Sequence, residues 1–408
     1  MIIDSNVELL NIFENLVKIP SPSLKEDKVS MWIIDYCEKN NISAFFDNYG
    51  NVRINIPSTD TSKQSILLSS HMDVVGDSSK IKLVKEGDYY KTDGKRTLGA
   101  DDKAGVSVSL CLARELIGNN IKHGGLEITY TRDEESGMSG IGHVDFDNIN
   151  SKYILVLDGD KLGRLENAGA GYTLATLSVK SFYGGHSGID IHEEHRFNAA
   201  KLIAELVNEI PQGVFFKDEN GTVTSINLGT IIAGNIQNNV SKILENKIVS
   251  NNYFDFLIEN SVTNVINTTA KATYSIRSSS DTKENELKDI IKKQVQKFNE
   301  KYKDLAIAEI VFSEHLPKFE KTNDSTIENA YTKACKKLNM EPSIGPFHAG
   351  AETHIYAKQK NKHEEKFVPF LMGVADIYNM HSSSEMVNYK TLIQGYNLIK
   401  QMFIEFNQ

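Results

Sequence analysis

The sequence predicts an α/β protein in which helices flank a mixed, mostly parallel sheet, with a second, α+β domain inserted into the first. Two observations predict this class. Strand-like and helical segments alternate along the first part of the chain, which is typical of a parallel sheet. That order breaks off at residue 172 and resumes near residue 316. We therefore predict a discontinuous domain of residues 1–171 and 316–408, and an inserted domain of residues 172–315.

The elements of the discontinuous domain are predicted from the spacing of its apolar residues. Helical periodicity marks three segments, residues 6–17, 25–39 and 103–117. Strand patterns mark a hairpin over residues 43–55 and short apolar runs over residues 65–70, 125–131 and 153–157. Apolar runs of this kind suit strands that are buried on both faces of a sheet.

The inserted domain has a different pattern. Residues 172–182, 222–232, 271–277 and 305–313 are predicted to be strands, and residues 196–209 and 283–303 helices. Residues 235–268 are rich in Asn, Ser and Thr and give no clear pattern.

Composition narrows the class of protein. The formal net charge is −9, which does not favour nucleic acid or anionic lipid as a partner. The three cysteines, Cys37, Cys111 and Cys335, are widely spaced, which fits a reducing compartment. The first residues lack the pattern of a signal peptide, and no apolar run approaches the ~20 residues that span a bilayer. We expect a cytoplasmic protein without nucleic-acid or membrane partners.

Histidines and carboxylates follow several of the predicted strands. They occur in five motifs: His71-Met-Asp73, Asp101-Asp102, Asp133-Glu134-Glu135, Asp158-Gly159 and His381. Because ligands of such sheets bind at the carboxyl ends of the strands, we expect these side chains to lie together. Histidine nitrogen and carboxylate oxygen are ligands of zinc. The pattern therefore favours a metal centre.

Each motif also has an ordinary structural interpretation. In the order given, these are a surface ion pair, a helix N-cap, a solvated acidic turn, a tight turn and a loop histidine. The metal interpretation is favoured because all five fall at strand ends or helix starts of one predicted sheet.

The segments SSHMDVV, TLGADDKAG and DEESG resemble motifs of a dinuclear zinc peptidase family. That family includes tripeptidase T, aminoacyl-histidine (carnosinase-type) dipeptidases, glutamate carboxypeptidase, acetylornithine deacetylase and succinyl-diaminopimelate desuccinylase. TLGADDKAG is most similar to tripeptidase T. GGHSGIDIH at 184–192, Asn198-Ala199 and HAG at 348–350 are more similar to the aminoacyl-histidine dipeptidases. The resemblance implies a catalytic domain with an inserted lid or dimerisation domain.

The resemblance also implies two zinc ions, with cobalt or manganese as alternatives. His71 and Asp158 would bind one ion, Glu135 and His381 would bind the other, and Asp101 would bridge them.

Two further residues would support the metal ligands. Asp73 would orient the ring of His71, and Glu134 would act as the general base. A cis peptide bond would join Asp101 to Asp102.

In the inserted domain, His186 in GGHSG matches a histidine that stabilises the oxyanion and reaches the partner subunit's active site in family dimers. Arg277 in SIRSS matches an arginine that binds the substrate carboxylate. Their ordinary interpretations are a packed loop histidine and a surface arginine. A homodimer through this domain is therefore expected.

The sequence leaves two assignments of substrate-binding residues undecided. The family asparagine best matches Asn264 in NVINTTA, with Asn238 in NNVS as the competitor. Asn267 stands where the family has Pro, and residues 235–262 resemble an insertion. Glu352 in HAGAET could contact a substrate amino group or be a loop carboxylate.

We therefore expect a metal-dependent exopeptidase that hydrolyses short peptides, either dipeptides or tripeptides. One alternative is an amidohydrolase of the same family that removes acyl groups from N-acyl amino acids. Another is a metal-binding protein without catalysis, although the presence of Glu134 argues against it.

Overall fold

The computed structural model describes residues 4–118, 121–219, 221–234 and 261–408. The chain divides into two compact units, one of residues 1–169 and 319–408 and the other of residues 170–318. Asn238, and with it residues 235–260 of the predicted insertion, lie outside the described residues.

The first unit is built on an eight-stranded sheet, and the predicted mixed, mostly parallel class is confirmed. Four of its seven strand pairings are parallel, and three of these are adjacent at its centre. Its strands lie in the order Ala44–Phe46, Val52–Ile56, Leu126–Thr131, Ile66–His71, Tyr153–Gly159, Val368–Gly373, Arg164–Gly169 and Ser343–Phe347.

The central strands are apolar on both faces because both faces are covered. Ile66 and Leu68 belong to one core cluster, whereas Leu67 between them belongs to another. This alternation follows from the two-residue period of a strand. The larger cluster is formed with long helices, whereas the smaller one includes Ile141 of a 3-10 turn and Tyr356 of a short helix. The α/β pattern of the sequence therefore corresponds to a sheet enclosed between two layers.

The remaining elements of this unit are helices and a small antiparallel sheet. The helices are Ser5–Val17, Asp27–Lys39, Ala100–Gly118, Thr326–Leu338, Thr353–Tyr356 and Tyr389–Phe406, with 3-10 turns at Ile141–His143 and Phe146–Asn148. The small sheet contains Val84–Glu86, Tyr89–Lys91, Ile377–Tyr378 and Met386–Asn388.

The second unit contains a five-stranded antiparallel sheet with helices packed on one side. Its strands lie in the order Gly213–Lys217, Val223–Ala233, Thr269–Ser278, Gly171–Ser181 and Ala306–Leu316. Its other elements are the helices Ala199–Asn208 and Asp281–Lys301, the 3-10 turn Asp190–His192, and the paired strands Gly185–His186 and Val265–Ile266. Alternate strand residues such as Ala175, Leu177 and Val179 pack in a core with both helices.

The three cysteines are free and buried in the first unit. Burial raises the pKa of Cys37 and Cys111 to about 12, so these thiols are protonated at neutral pH and are poor metal ligands. In the parts of the chain that the structure describes, no helix has both the length and the apolar character needed to cross a membrane.

Candidate active site

Three parallel strands bring candidate residues to one edge of the central sheet. His71 is the last residue of its strand and pairs with Thr131, the last residue of the neighbouring strand. Glu134 and Glu135 follow Thr131 within four residues, and Asp158 ends the apolar part of the strand on the other side. Parallel strands place their carboxyl ends at the same edge, so the sequence motifs meet there.

Asp101 lies between the two histidines. Its Oδ1 is 3.1 Å from Nε2 of His71, and its Oδ2 is 3.1 Å from Nε2 of His381. His71 Nε2 also lies 3.4 Å from Oδ1 of Asp158, and His381 Nε2 lies 3.1 Å from Oε1 of Glu135. All five residues of the predicted dinuclear set are therefore contiguous.

The start of the helix Ala100–Gly118 fixes the Asp101 backbone. The Asp101–Asp102 peptide bond is cis, and both residues have non-helical dihedral angles. The Asp102 carboxylate accepts hydrogen bonds from the amides of Gly105, at 3.0 Å, and His71, at 3.3 Å. A Cβ atom on Gly105 would lie 2.5 Å from Asp102 Oδ1, so this close approach requires glycine.

Asp73 supports both His71 and the acidic turn. The main-chain carbonyl of Asp73 accepts a hydrogen bond from His71 Nδ1 at 3.0 Å, whereas its carboxylate lies farther away, at 3.4 Å. That carboxylate instead accepts the amides of Glu134, at 3.0 Å, and Glu135, at 3.1 Å, and the Ser23 hydroxyl at 2.7 Å. Because Nδ1 donates to a carbonyl, Nε2 of neutral His71 keeps its lone pair for a metal ion.

Negative charge is concentrated in this cluster. Burial and repulsion by neighbouring carboxylates raise the pKa of Glu135 to about 7 and that of Asp158 to about 8. Contacts with His381 and His71 outweigh burial and hold the pKa of Asp101 below its usual range. The pKa of His381 is raised to about 9, chiefly by its contact with Asp101. The carboxylates therefore require additional positive charge to be ionised together.

The donor atoms fit divalent metal ions. His71, Asp101 and Glu135 offer ligand atoms that lie within 4.8 Å of one another. Two ligand atoms bound at ~2.1 Å to one tetrahedral ion lie roughly 3.3 Å apart, close to the separations around Asp101. Glu135 Oε1 is buried and has no hydrogen-bond partner among the described residues, although His381 Nε2 is near it. A cation would satisfy this oxygen.

A pocket of about 310 Å³ opens onto the cluster within the first unit. Glu134 lines it, and burial together with the Asp158 and Glu352 charges raises the pKa of Glu134 well above its usual value. Phe347, Leu371 and Met380 form apolar parts of the wall. The pocket thus combines a buried carboxylate, the metal-ligand candidates and an apolar surface.

Glu352 is a buried carboxylate in the turn before the helix Thr353–Tyr356. Its side chain is 1% exposed, and its Oε2 accepts a hydrogen bond from the Ser69 hydroxyl at 3.2 Å. The helix Thr353–Tyr356 follows Glu352 and packs against the sheet. Glu352 is buried because it directly precedes this helix. Its charge helps to raise the pKa of Glu134, and its contact with a substrate stays a prediction.

Two predicted substrate residues of the second unit lie close together, His186 on a short strand and Asn264 directly before the strand that pairs with it. His186 pairs with Val265, the residue after Asn264, and the Asn264 carbonyl accepts a hydrogen bond from the Ser187 amide at 2.9 Å. Nδ1 of His186 accepts the Gly188 amide at 3.1 Å, so the neutral ring carries its proton on Nε2. Both His186 and Asn264 are exposed.

Arg277 lies on the strand Thr269–Ser278 of the same unit, opposite Tyr172. Its guanidinium carbon is 5.1 Å from the centre of the Tyr172 ring. Its Nη1 is buried and lacks a hydrogen-bond partner among the described residues. An unpaired guanidinium donor of this kind fits a carboxylate ligand.

Three acidic residues that the sequence motifs did not single out belong to the site. Asp160 and Glu166 line the pocket, and Glu385 contacts the backbone before Asp101. Asp160 lies two residues after Asp158, and Glu385 lies four residues after His381. Closeness in sequence to a predicted metal ligand could therefore have drawn attention to both. Glu166 had no such signal, because its strand Arg164–Gly169 was not predicted.

Known proteins resemble this chain in sequence and in fold. The family model described as Peptidase family M20/M25/M40 matches residues 67–405. This range covers most of the chain, and the chain therefore belongs to this family of peptidases. The family membership predicted from SSHMDVV, TLGADDKAG and DEESG is thereby confirmed.

Individual relatives are more distant. Peptidase T of Bacillus mycoides is 28% identical over 268 residues, which cover 64% of this chain and 55% of that protein. Cytosol non-specific dipeptidase of Escherichia coli is 26% identical over 214 residues, covering 45% and 43%. The chain thus spans about half the length of these curated relatives. The crystal structure of aminopeptidase PepT from Bacillus cereus has the same fold, with a TM-score of 0.81, 21% identity and 99% of both chains covered.

Proposed function

We propose that the protein is a metal-dependent exopeptidase that hydrolyses short peptides. The observation that carries this proposal is the position of Asp101, whose two carboxylate oxygens each face one histidine Nε2 at 3.1 Å. In this proposal, His71 and Asp158 would hold one zinc ion, Glu135 and His381 would hold a second, and Asp101 would be shared between the two. Cobalt or manganese suits the same ligands.

The chain's own residues supply the remaining chemistry. When bound, the two cations supply Lewis acidity toward water and the scissile carbonyl. Glu134 accepts a proton from the attacking water at a carboxylate oxygen and delivers it to the nitrogen of the leaving amine as the C–N bond breaks. Its high pKa in the pocket suits a group that must hold a proton between these two steps. Asp73 fixes the Glu134 backbone and the tautomer of His71.

The lining of the pocket favours a peptide with a free amino group. Among the described residues that line the pocket, six are acidic and none is lysine or arginine. Asp160 and Glu166 lie outside the proposed ligand set, so they remain available to an ammonium group. An N-acyl amino acid lacks that charge, which makes a deacylase the weaker candidate. Phe347, Leu371 and Met380 would contact an apolar substrate side chain.

The second unit offers groups suited to the other end of a substrate. The buried Nη1 of Arg277 is suited to a carboxylate, and the Nε2–H of His186 to an oxyanion. Asn264 is the asparagine we assign to the substrate, because it adjoins the strand of His186.

We also propose that the protein is a homodimer through the second unit. Apolar side chains are exposed on the sheet of that unit, including Ile232, 66% exposed, and Val311, 62% exposed. Exposed apolar residues of this size favour contact with another chain. Analytical ultracentrifugation at assay concentration tests this: an active monomer would overturn it.

A cytoplasmic location is proposed from the free cysteines, because buried thiols stay reduced there. Fractionation of cells that express the native protein tests this location, and recovery outside the cytoplasm would overturn it.

A substrate panel tests the activity. Protein loaded separately with zinc, cobalt and manganese is incubated with dipeptides, tripeptides and N-acetyl amino acids, and products are identified by mass spectrometry. We expect cleavage of the peptides with free amino groups. Turnover of the N-acetyl compounds alone would indicate the deacylase. Metal binding without turnover of any compound would indicate the non-catalytic alternative.

A further inference from the structure

Glu385 joins the backbone that carries Asp101 to the loop that carries His381. Its side chain is 1% exposed. Oε2 accepts the Gly99 amide at 2.8 Å and the Thr97 hydroxyl, while Oε1 accepts the amides of Ala100 at 2.8 Å and Asp101 at 3.3 Å. One carboxylate therefore accepts three consecutive backbone amides at the start of the helix Ala100–Gly118.

These amides cannot be satisfied by the helix itself. The first amides of a helix lack partners within it, and a local N-cap side chain usually accepts them. Asp101 and Asp102 have non-helical dihedral angles, and the Asp102 carboxylate is directed to Gly105 and His71 instead. Glu385 takes the place of the local cap from a segment 284 residues away from Asp101.

On the His381 side, Glu385 belongs to a short turn. The Glu385 amide donates a hydrogen bond to the Ser382 carbonyl at 3.2 Å, which makes residues 382–385 a hydrogen-bonded turn. His381 immediately precedes this turn and has a φ of 60°. A left-handed backbone at histidine is uncommon and depends on its surroundings. We infer that the turn and the Glu385 carboxylate together hold the His381 backbone in position, and with it the base of the imidazole side chain.

Two basic side chains lie near Glu385. Arg96 and the buried Lys103 both interact favourably with its carboxylate, although burial raises the pKa of Glu385 above its usual value. Both carboxylate oxygens of Glu385 thus accept hydrogen bonds from the protein, and basic side chains lie nearby. These contacts suit a carboxylate with a structural role and make it a poor candidate for a metal ligand.

We propose that Glu385 is a positioning residue that sets Asp101 against His381 and thereby completes the second cation site. The inference rests on the proposed function, because it assumes that these residues bind metal. In Glu385→Gln, the amide nitrogen would face backbone donors, so part of the Gly99–Asp101 segment would lose its acceptor. The site of Glu135 and His381 would weaken, whereas the site of His71 and Asp158 would keep its ligands.

A matched control exists in the same unit. Glu127 is 4% exposed, and its carboxylate accepts the amides of Asn150 and Ser151 together with the Ser151 hydroxyl. It stands near the start of the strand Leu126–Thr131, four residues from the end at which the ligands gather. Glu127→Gln therefore removes an equivalent buried acceptor away from the metal cluster.

Zinc titration of the full chain tests the inference, with a chromogenic chelator as competitor and thermal unfolding as the measure of stability. Wild type and Glu127→Gln are expected to bind two zinc ions per chain. Glu385→Gln is expected to bind the first normally and the second ~10–100-fold more weakly, the range for groups that orient metal ligands. Thr97→Ala, which removes one donor to Glu385, should give a smaller loss at the second site only.

The outcomes separate this inference from the proposed function. Two zinc ions bound with wild-type affinity by Glu385→Gln would overturn it, as would equal weakening in Glu127→Gln. If Glu385→Gln does not fold, Thr97→Ala decides, and wild-type affinity at both sites would overturn the inference. A wild type that binds zinc tightly and hydrolyses peptides leaves the proposed function intact in each of these cases. The titration is repeated with cobalt and manganese, and a wild type that binds none of the three metal ions overturns both.

Discussion

Oδ2 of Asp101 lies 3.1 Å from Nε2 of His381, although 280 residues separate the two in the sequence. The other oxygen of the same carboxylate faces His71 at an equal distance. The Asp101 carboxylate therefore contacts two histidines that lie far apart in the sequence. This geometry is what allows a pair of ions to be proposed instead of one.

Replacing Glu134 should separate catalysis from metal binding. Glu134→Gln keeps the size of the side chain but removes its ability to accept a proton. We expect kcat to fall ~10²–10⁴-fold, the usual contribution of a general base, with two metal ions still bound. Steady-state kinetics and metal analysis of the same preparation measure this. Loss of metal in parallel with activity would show that Glu134 is a ligand.

Removing the Asp73 carboxylate should weaken metal binding. Asp73→Ala leaves the main-chain acceptor of His71 in place but frees the amides of Glu134 and Glu135. We expect metal affinity to fall ~10–100-fold. Ser23→Ala is the matched control, because it removes only one hydrogen bond to Asp73 Oδ2. Comparable affinities of Asp73→Ala and wild type in a metal titration would contradict this role.

Metal removal should make stability depend on pH. Without cations, the pKa of Glu135 is about 7, that of Asp158 about 8 and that of His381 about 9. All three are raised, so the folded chain holds protons that the unfolded chain releases. Their contribution is fully present below the unfolded pKa values and is lost as pH rises through the folded ones.

We therefore expect the Tm of metal-free protein to fall on the order of 5 °C between pH 5 and pH 8. The zinc-loaded protein should show a smaller change, because the cations hold these groups in their metal-binding protonation states. Differential scanning fluorimetry of both forms across this range measures the slopes. Parallel slopes for the two forms would contradict the prediction.

Glu166 provides a test of substrate choice. Its carboxylate lines the pocket, and its nearest basic group is Arg164, at 3.6 Å. If it receives the substrate ammonium group, Glu166→Gln should raise KM for tripeptides ~10-fold, the loss expected for one charge-assisted hydrogen bond. N-acetylated tripeptides, measured as competitive inhibitors, provide the control, because they lack the ammonium group and their inhibition constant should not respond to the change. An unchanged KM for free tripeptides would exclude this contact.

Part of the site was predictable because it is encoded locally. The motifs around His71, Asp101 and Glu135 each occupy a few consecutive residues, next to a strand or helix whose pattern is strong. Asp158 and His381 have plain local sequence, and the prediction that they bind metal rests mainly on the family resemblance. The structure brings all five together, while their roles as ligands stay a prediction.

Other relationships could not be read from the chain. Asp73 was expected to orient the ring of His71; the atom that accepts from that ring is its main-chain carbonyl, and its carboxylate holds the acidic turn. The sequence left Glu352 open between a substrate contact and a loop carboxylate, and the structure shows that its side chain is buried. In both cases the direction of a side chain decides the role, and direction depends on packing by residues far away in the sequence.

The sequence by itself determined the alternation of strands and helices, the inserted segment, and the strand ends that carry histidine and carboxylate. These depend on apolar periodicity and short motifs, which act between near neighbours. Only the tertiary structure decided that Asp101 meets His381, that Glu385 holds the backbone before Asp101, and that Asp160 and Glu166 line the pocket. Such contacts depend on how the parallel strands are ordered in the sheet, and that order is fixed by packing of the whole unit and by no local pattern.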